Sequence, residues 1–189
     1  MFKKQMDNRV AVFFADGCEE IEGLTVVDLL FRAGIPCDMV SVSGSYQVTS
    51  SHEVTFLCNK LISEVDINAY AMLVLPGGIP GTPNLAATDI LMQAVDTFAA
   101  QGKPLAAICA APSIYAERGL LSGVRATANP GFQHVLVEKG ALLSKDPVVV
   151  DGPFITSQGA GTAVAFGLEI VRYFLGDAAV LRVRDGIAL

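Results

Sequence analysis

The segment Leu105-Ala-Ala-Ile-Cys-Ala-Ala-Pro-Ser113 decides the fold. An apolar run leads into Cys109, and the small residues and proline that follow are typical of a helix start, so we predict a strand that turns directly into a helix. Such a turn lifts the side chain at the junction above the edge of a parallel sheet. Because helix N–H groups favour an anion, we expect a lowered thiol pKa for Cys109. The alternative is an inert cysteine buried in the core.

Outward from this segment, the chain alternates apolar strands with segments of helical period. The predicted strands span residues 9–15, 37–42, 71–75, 104–108, 124–127, 148–150 and 154–156. The predicted helices span residues 20–33, 89–100, 109–118 and 162–175, with a further helix after Pro130. Helix 20–33 is expected to end at Gly34. Five residues are expected to form its apolar face: Ile21, Leu24, Val27, Leu30 and Phe31.

This order of elements predicts an α/β fold with a mostly parallel sheet that helices cover on both faces. Binding sites in such sheets lie at the carboxyl ends of the strands. Residues 43–58 depart from the alternation, and their two short apolar runs, 46–49 and 54–58, predict an antiparallel hairpin. No repeat or linker interrupts the chain, so we interpret residues 1–189 as a single domain.

Composition and charge exclude several classes of protein. Of 189 residues, 52% are hydrophobic and 17% are charged, which excludes a disordered chain. The net charge of -6 would repel a phosphate backbone, so no nucleic acid partner is expected. No apolar run approaches the roughly 20 residues of a membrane span, and no signal peptide pattern is visible, so we expect a cytoplasmic protein without a membrane partner.

The cysteines have neither the spacing of a zinc site nor the context of a disulfide framework. We therefore expect four thiols and no metal site: Cys18, Cys37, Cys58 and Cys109.

Two further segments stand at predicted strand ends, Asp16-Gly-Cys-Glu-Glu-Ile-Glu22 and Val74-Leu-Pro-Gly-Gly78. Glu19 and Glu20 have an ordinary interpretation as acidic residues in the first turn of a helix. Glu22 is expected to point toward the strand ends instead. The paired glycines expose backbone N–H groups to a neighbouring site, although such a pair also marks ordinary turns.

Together with Thr156-Ser-Gln-Gly-Ala-Gly-Thr162, these three segments resemble the ThiJ/PfpI family, and within it the branch of the Parkinsonism-associated protein deglycase and its bacterial relatives. The resemblance extends from Val10 to about Leu181. It implies a flavodoxin-like three-layer sandwich of the class I glutamine amidotransferase type. It also implies a homodimer that uses no metal or organic cofactor.

The same resemblance implies roles for individual residues. Cys109 would be the nucleophile, and Glu22 would be a protonated carboxyl that donates a hydrogen bond to its sulfur. The backbone N–H groups of Gly78 and Ala110 would bind an oxyanion. Two helix residues would lie near the dimer contact: Glu19 and Arg32.

The sequence departs from the family at two places. Ala110 stands where the peptidases and amidotransferases often have a histidine, which argues against peptidase activity. Thr127-Ala-Asn-Pro130 stands where the deglycase branch has T-x-H-P, and Asn129 cannot act as a general base, so we expect slow turnover. His134 either approaches the site or lies at the surface, and His52 falls in the hairpin.

Two functions remain open at this point. In the first, Cys109 attacks a reactive aldehyde such as methylglyoxal, or a glycated adduct, while Glu22 carries the proton. In the second, Cys109 is oxidised without turnover in a redox-sensing or chaperone-like stress protein. A small reactive carbonyl compound is the partner that the first function requires.

Overall fold

The computed structural model describes residues 3–189 and is organised around a seven-stranded sheet. The described strands are β1 Val10–Phe14, β2 Cys37–Ser41, β3 Gln47–Thr49, β4 Thr55–Leu57, β5 Lys60–Leu61, β6 Met72–Leu75, β7 Leu105–Ile108, β8 Arg125–Ala126, β9 Leu142–Leu143, β10 Val148–Asp151 and β11 Phe154–Ser157. The order in the large sheet is β10-β11-β7-β6-β1-β2-β5, and only β10 runs antiparallel to its neighbour. This confirms the predicted α/β class with a mostly parallel sheet.

Helices connect β1 to β2 and β6 to β7, and others follow β7, β8 and β11. They are α1 Glu20–Ala33, α2 Gly81–Ala86, α3 Asp89–Ala100, α4 Pro112–Glu117, α5 Gln133–Glu138 and α6 Ala163–Gly186. The bounds of α1 and α3 agree with the prediction. The start of α1 is fixed by the Glu19 carboxylate, which accepts a hydrogen bond from the N–H of Glu22, and its end by Gly34 in the left-handed conformation.

Two hydrophobic cores lie on opposite faces of the sheet. Successive side chains of β1 alternate between them, because neighbouring residues of a strand point to opposite faces. Phe13 belongs to the core that also contains side chains of α3 and α4, whereas Phe14 belongs to the core beneath α1 and α6. The molecule is therefore a three-layer sandwich, and the ends of its central strands lie between the helical layers.

The predicted apolar face of α1 is wrong. Of its five residues only Leu30 is fully buried, while Ile21 and Phe31 are 52% and 54% exposed. The buried face is turned toward α6, where Leu29 packs so closely on Gly167 that a Cβ there would lie 2.5 Å from Leu29 Cδ1. Packing against α6, and not the number of apolar residues on each face of α1, decides which face of α1 is buried.

One of two further helix predictions is wrong at its start, and the other is confirmed at its end. The helix expected at residue 109 begins later, at Pro112, so Cys109 lies in the turn before α4 and not in the helix itself. The helix expected to end at residue 175 does end there, because Gly176, with a φ of 73° and a ψ of -179°, is not helical; a second helical stretch, included here in α6, then runs to Gly186. A glycine adopts this conformation readily, so it separates the two stretches.

The hairpin prediction is confirmed by the antiparallel pairing of β3 with β4. No sequence pattern predicted β5 or β9, which are two residues long, or α2. Such short elements lack a period that could be recognised. Among residues 3–189, no helix is long and apolar enough to cross a membrane.

Candidate active site

Four segments meet at the carboxyl ends of neighbouring strands. Glu22 lies in α1 after β1, Gly77 follows β6, Cys109 follows β7, and Gly159 follows β11. Because β11, β7, β6 and β1 are consecutive in the sheet, these segments form one continuous edge. This is the place where an open parallel sheet carries its site.

Cys109 occupies a strained backbone turn. Its φ is +67°, in the left-handed region that residues other than glycine rarely adopt. Two backbone hydrogen bonds hold the turn: the Cys109 N–H donates to Ser157 O at 2.9 Å, and the Asn129 N–H donates to Cys109 O at 2.8 Å. The side chain is half-buried, as expected for a nucleophile presented above the strand ends.

Glu22 is turned inward from the first turn of α1. It is only 1% exposed, and its Oε2 accepts a hydrogen bond from the Gly77 N–H at 2.8 Å. Its own N–H donates to Glu19 Oε2 at 2.9 Å, so the helix cap also fixes the position of Glu22. The structure thus places Glu22 at the strand ends, in the direction that the sequence indicated.

Gly77 makes the close approach of Cys109 and Glu22 possible. A Cβ at this position would lie 2.6 Å from Cys109 Cβ and 2.8 Å from Glu22 Oε2, distances that no real side chain tolerates. The sequence indicated the glycine pair for its N–H groups but not this packing role. Only the fold, which brings three distant segments together, reveals it.

Burial dominates the titration of Glu22. It raises the pKa of this carboxyl to about 7, although the Cys109 thiol and the Gly77 N–H act to lower it. The Glu22 Oε1 atom has no hydrogen-bond partner of ordinary geometry among residues 3–189. A buried acceptor without a partner is costly in a folded protein, and such atoms are characteristic of binding and catalytic sites.

The expectation of a lowered pKa for Cys109 is wrong. Burial raises the pKa of this thiol to about 12, and the charge and hydrogen bond of Glu22 raise it further. The backbone N–H groups of Ala110 and Gly78 oppose this shift. The sequence showed the helix start but neither the burial nor the carboxylate. Since burial raises the pKa of the other three thiols to about 12 as well, Cys109 differs from them by its partner, Glu22.

The two N–H groups assigned to oxyanion binding, those of Gly78 and Ala110, both reach the Cys109 sulfur. Asn129 also lies at the site, since a Cβ placed on Gly159 would be 3.5 Å from Asn129 Nδ2 and 3.9 Å from Cys109 Sγ. Gly159 belongs to the Thr156–Thr162 motif, to which the sequence analysis gave no chemical role. His134 is exposed, which favours its surface interpretation.

Arg32 is not part of the active site. It lies in the last turn of α1, about 15 Å along the helix from Glu22, and it binds Asp28 Oδ2 at 2.7 Å and Gly186 O at 3.3 Å. Glu19 contributes to the site indirectly, because it caps α1 and so holds Glu22 in position. All four cysteines are free thiols, in agreement with the prediction.

Among residues 3–189, one group of acidic and histidine side chains brings three candidate ligand atoms within 4.8 Å of one another: Glu19, Glu20 and His52. Within this group, His52 Nδ1 lies 3.0 Å from Glu20 Oε2 and 3.7 Å from Glu19 Oε1. A hydrogen-bonded ion pair between His52 and Glu20 accounts for the short distance without a metal.

Comparisons with known proteins agree with this architecture. The sequence profile of the DJ-1/PfpI family matches residues 8–173. Protein dj-1beta of Drosophila melanogaster is 32% identical over 182 residues, which cover 96% of this chain and 97% of that protein. Protein DJ-1 homolog B of Arabidopsis thaliana is 36% identical over 89% of this chain, and the chain spans only 38% of that relative's length.

One relative carries a name that describes an activity. The glutathione-independent glyoxalase DJ-1 of Schizosaccharomyces pombe is 31% identical over 86% of this chain and 89% of its own length. Among solved structures, oxidised Toxoplasma gondii DJ-1 superposes with a TM-score of 0.91 at 31% identity and covers 96% of this chain and 98% of its own. The chain therefore belongs to the DJ-1/PfpI family.

Proposed function

We propose that the protein is a stress protein that converts small 1,2-dicarbonyl aldehydes, such as methylglyoxal, to 2-hydroxy acids without a cofactor. The observation that carries this proposal is the pairing of Cys109 with Glu22, a buried carboxyl whose pKa is raised to about 7. A general base works best when its pKa lies near the working pH. The relative named as a glyoxalase supports the same chemistry.

The first step is attack on the aldehyde carbon. The Cys109 sulfur forms a bond to this carbon as Glu22 accepts the thiol proton, and the carbonyl π electrons move to the oxygen. The N–H groups of Gly78 and Ala110, which reach the sulfur, are placed to donate to this oxyanion. Glu22 then returns the proton to the oxygen, which completes a hemithioacetal.

The remaining steps move a hydrogen within the substrate. Glu22 removes the proton from the attacked carbon and delivers one to its neighbour through an enediol, which leaves a thioester on Cys109. One water hydrolyses the thioester and regenerates the thiol. The aldehyde carbon is oxidised and the neighbouring carbon is reduced, so that methylglyoxal and water give lactate without an external oxidant or reductant.

Peptidase activity has no support in this geometry. Ala110 follows the nucleophile, His134 is exposed, and His52 is bound to Glu20. A peptidase needs an acid that protonates a departing amine, for which an imidazole near the nucleophile is the usual group. The proposed reaction has no leaving amine.

The test is lactate formation from methylglyoxal, followed by NMR. The wild type is expected to form lactate in the absence of glutathione, and Cys109→Ala is expected to form none. Cys37→Ser is the matched control, because it removes another half-buried thiol that begins β2, at the opposite end of the parallel strands from the site. Equal lactate formation by Cys109→Ala and wild type would contradict the proposal.

A second candidate function is redox sensing at the same thiol. The oxidised form of a similar protein, the Toxoplasma gondii DJ-1, gives this alternative a specific basis. Peroxide would oxidise Cys109: an S–O bond forms, the O–O bond breaks and water leaves, and a second peroxide gives the sulfinic acid. Oxidation of Cys109 in the mass spectrum, together with an absence of lactate formation, would favour this function.

We also propose that the protein forms a homodimer. The side chain of Ile21 on α1 and those of Val54 and Leu57 in the hairpin are 52%, 45% and 69% exposed, and a second copy could cover such apolar surface. Light scattering is expected to give twice 19.8 kDa, about 40 kDa. A mass near 20 kDa at micromolar concentration would contradict the dimer.

A further inference from the structure

Three different functional groups lie around Gly159 at the active site. A Cβ placed on Gly159 would lie 3.5 Å from Asn129 Nδ2, 3.7 Å from Glu22 Oε1 and 3.9 Å from Cys109 Sγ. All three groups therefore lie around the same side of Gly159, and a small group bonded to Cys109 Sγ would lie close to the other two. An amide, a carboxyl and a thiol thus face the same point.

The orientation of the Asn129 amide is fixed by its neighbours. Its Oδ1 accepts a hydrogen bond from the Gly131 N–H at 3.0 Å. Because a backbone N–H can only donate, the oxygen must be the atom on that side, and the NH₂ group therefore faces the space beside Cys109. The Asn129 N–H also donates to Cys109 O, which ties this segment to the nucleophile.

The two polar atoms beside Gly159 have complementary requirements. Asn129 Nδ2 offers a donor. Glu22 Oε1 is a buried acceptor with no hydrogen bond of ordinary geometry among residues 3–189, although the Cys109 thiol and the Ala160 N–H also act on this carboxyl. One substrate oxygen, on the carbon next to the attacked carbon, could bind both atoms. As a carbonyl it accepts a hydrogen bond from Asn129 Nδ2, and once it becomes a hydroxyl it also donates one to Glu22 Oε1. The Gly78 and Ala110 N–H groups are already assigned to the oxygen of the attacked carbon.

We propose that Asn129 is a specificity-determining residue that binds the second oxygen of a 1,2-dicarbonyl substrate and so selects such compounds over simple aldehydes. The inference rests on the proposed function and deepens it. When Glu22 removes the proton from the attacked carbon, the electron pair forms the new C=C bond and the π electrons of the second carbonyl move to its oxygen. The Asn129 NH₂ group then stabilises the charge that develops there.

The test compares two substitutions with a neighbouring amide. Asn129→Asp keeps the shape and the acceptor for the Gly131 N–H but removes the donor, and Asn129→Leu removes both. Gln133→Leu is the matched control, because the Gln133 amide binds Ala128 O instead. For each protein, the equilibrium constant of the hemithioacetal at Cys109 is measured by NMR with labelled methylglyoxal and with labelled propanal, and kcat and KM are measured for methylglyoxal.

Both Asn129 variants are expected to weaken the methylglyoxal adduct about tenfold or more while leaving the propanal adduct unchanged, and to lower kcat for methylglyoxal by about 10²-fold. The control is expected to match the wild type. Equal weakening of both adducts, or no change in either, would overturn the role of Asn129. Selective weakening of the methylglyoxal adduct without lactate formation by the wild type would support Asn129 and overturn the proposed function.

Discussion

The first turn of α1 carries two carboxylates that titrate in opposite directions. Glu22 faces the sheet, is 1% exposed, and has its pKa raised to about 7 by burial. Glu20 faces outward, and its pKa is lowered, because hydrogen bonds from His52 and from the backbone outweigh the opposing effect of burial. The residues have the same chemistry and lie two positions apart.

The difference shows that the side of the helix decides the function of each carboxylate. An acid with a pKa near neutrality can accept and return a proton, whereas an acid ionised at all ordinary pH values serves as a permanent charge. In the sequence motif E-E-x-E the letters are identical. Only the position of α1 over the strand ends distinguishes them.

The largest expected effect is on turnover. Glu22→Gln is expected to lower kcat/KM for methylglyoxal by about 10²–10⁴-fold, because the proton carrier is lost while the side-chain shape is kept. Glu20→Gln removes the same charge from the same helical turn and is expected to leave kcat/KM unchanged. Equal losses in the two variants would show that the two sides of the turn do not differ in function.

The next effect concerns stability and pH. Between pH 4.5 and about 7, the folded protein keeps a proton on Glu22 that the unfolded chain has released. Stability therefore falls as the pH rises through this range, by about 3 kcal/mol from Glu22 alone. Urea unfolding at several pH values is expected to show this slope in the wild type and to lose that contribution in Glu22→Gln. An identical slope in both proteins would contradict the raised pKa.

A smaller effect is expected at the N-terminal cap of α1, which precedes both carboxylates. Glu19→Ala removes the acceptor of the Glu22 N–H at the start of α1. The loss of a helix cap costs about 1 kcal/mol, measured as a lower urea midpoint at constant slope. Since the cap also fixes the position of Glu22, the same variant is expected to show reduced lactate formation. Full activity in a destabilised Glu19→Ala variant would show that the cap is not needed to position Glu22 for the reaction.

The smallest effect is a change in the pKa of Glu20, on the side of the turn that faces away from the site. His52→Ala removes the hydrogen bond that lowers the pKa of Glu20, so this pKa is expected to rise. The pKa of Glu22 is expected to stay the same, because His52 lies beside Glu20 and Glu19 and makes no contact with Glu22. Carboxyl ¹³C chemical shifts followed through a pH titration measure both values, and His134→Ala, which removes the other histidine, is the control.

Much of the fold could be predicted because its strands are continuous apolar runs and its helices have clear ends. The bounds of α1 and α3 and the hairpin of β3 with β4 agree with the sequence patterns. The buried face of α1 could not be predicted, because it depends on the packing of Leu29 against Gly167 in a distant helix.

The candidate site, like the fold, could be predicted only in part from the sequence. The strand-to-helix position of Cys109 and the inward direction of Glu22 follow from local sequence. The thiol pKa could not be predicted, because the burial and the carboxylate that raise it come from other segments. The packing role of Gly77 and the position of Asn129 beside Cys109 likewise depend on contacts between segments that lie far apart in the chain, although the Asn129 amide itself is oriented by the nearby Gly131 N–H.

The central claim is that Glu22 accepts the proton of Cys109. The rate of Cys109 alkylation by iodoacetamide, measured across the neutral pH range, tests it most directly. The wild-type rate is expected to rise with an inflection near pH 7, where Glu22 ionises, and Glu22→Gln is expected to lack this inflection. An inflection near pH 7 that persists in Glu22→Gln would contradict the claim.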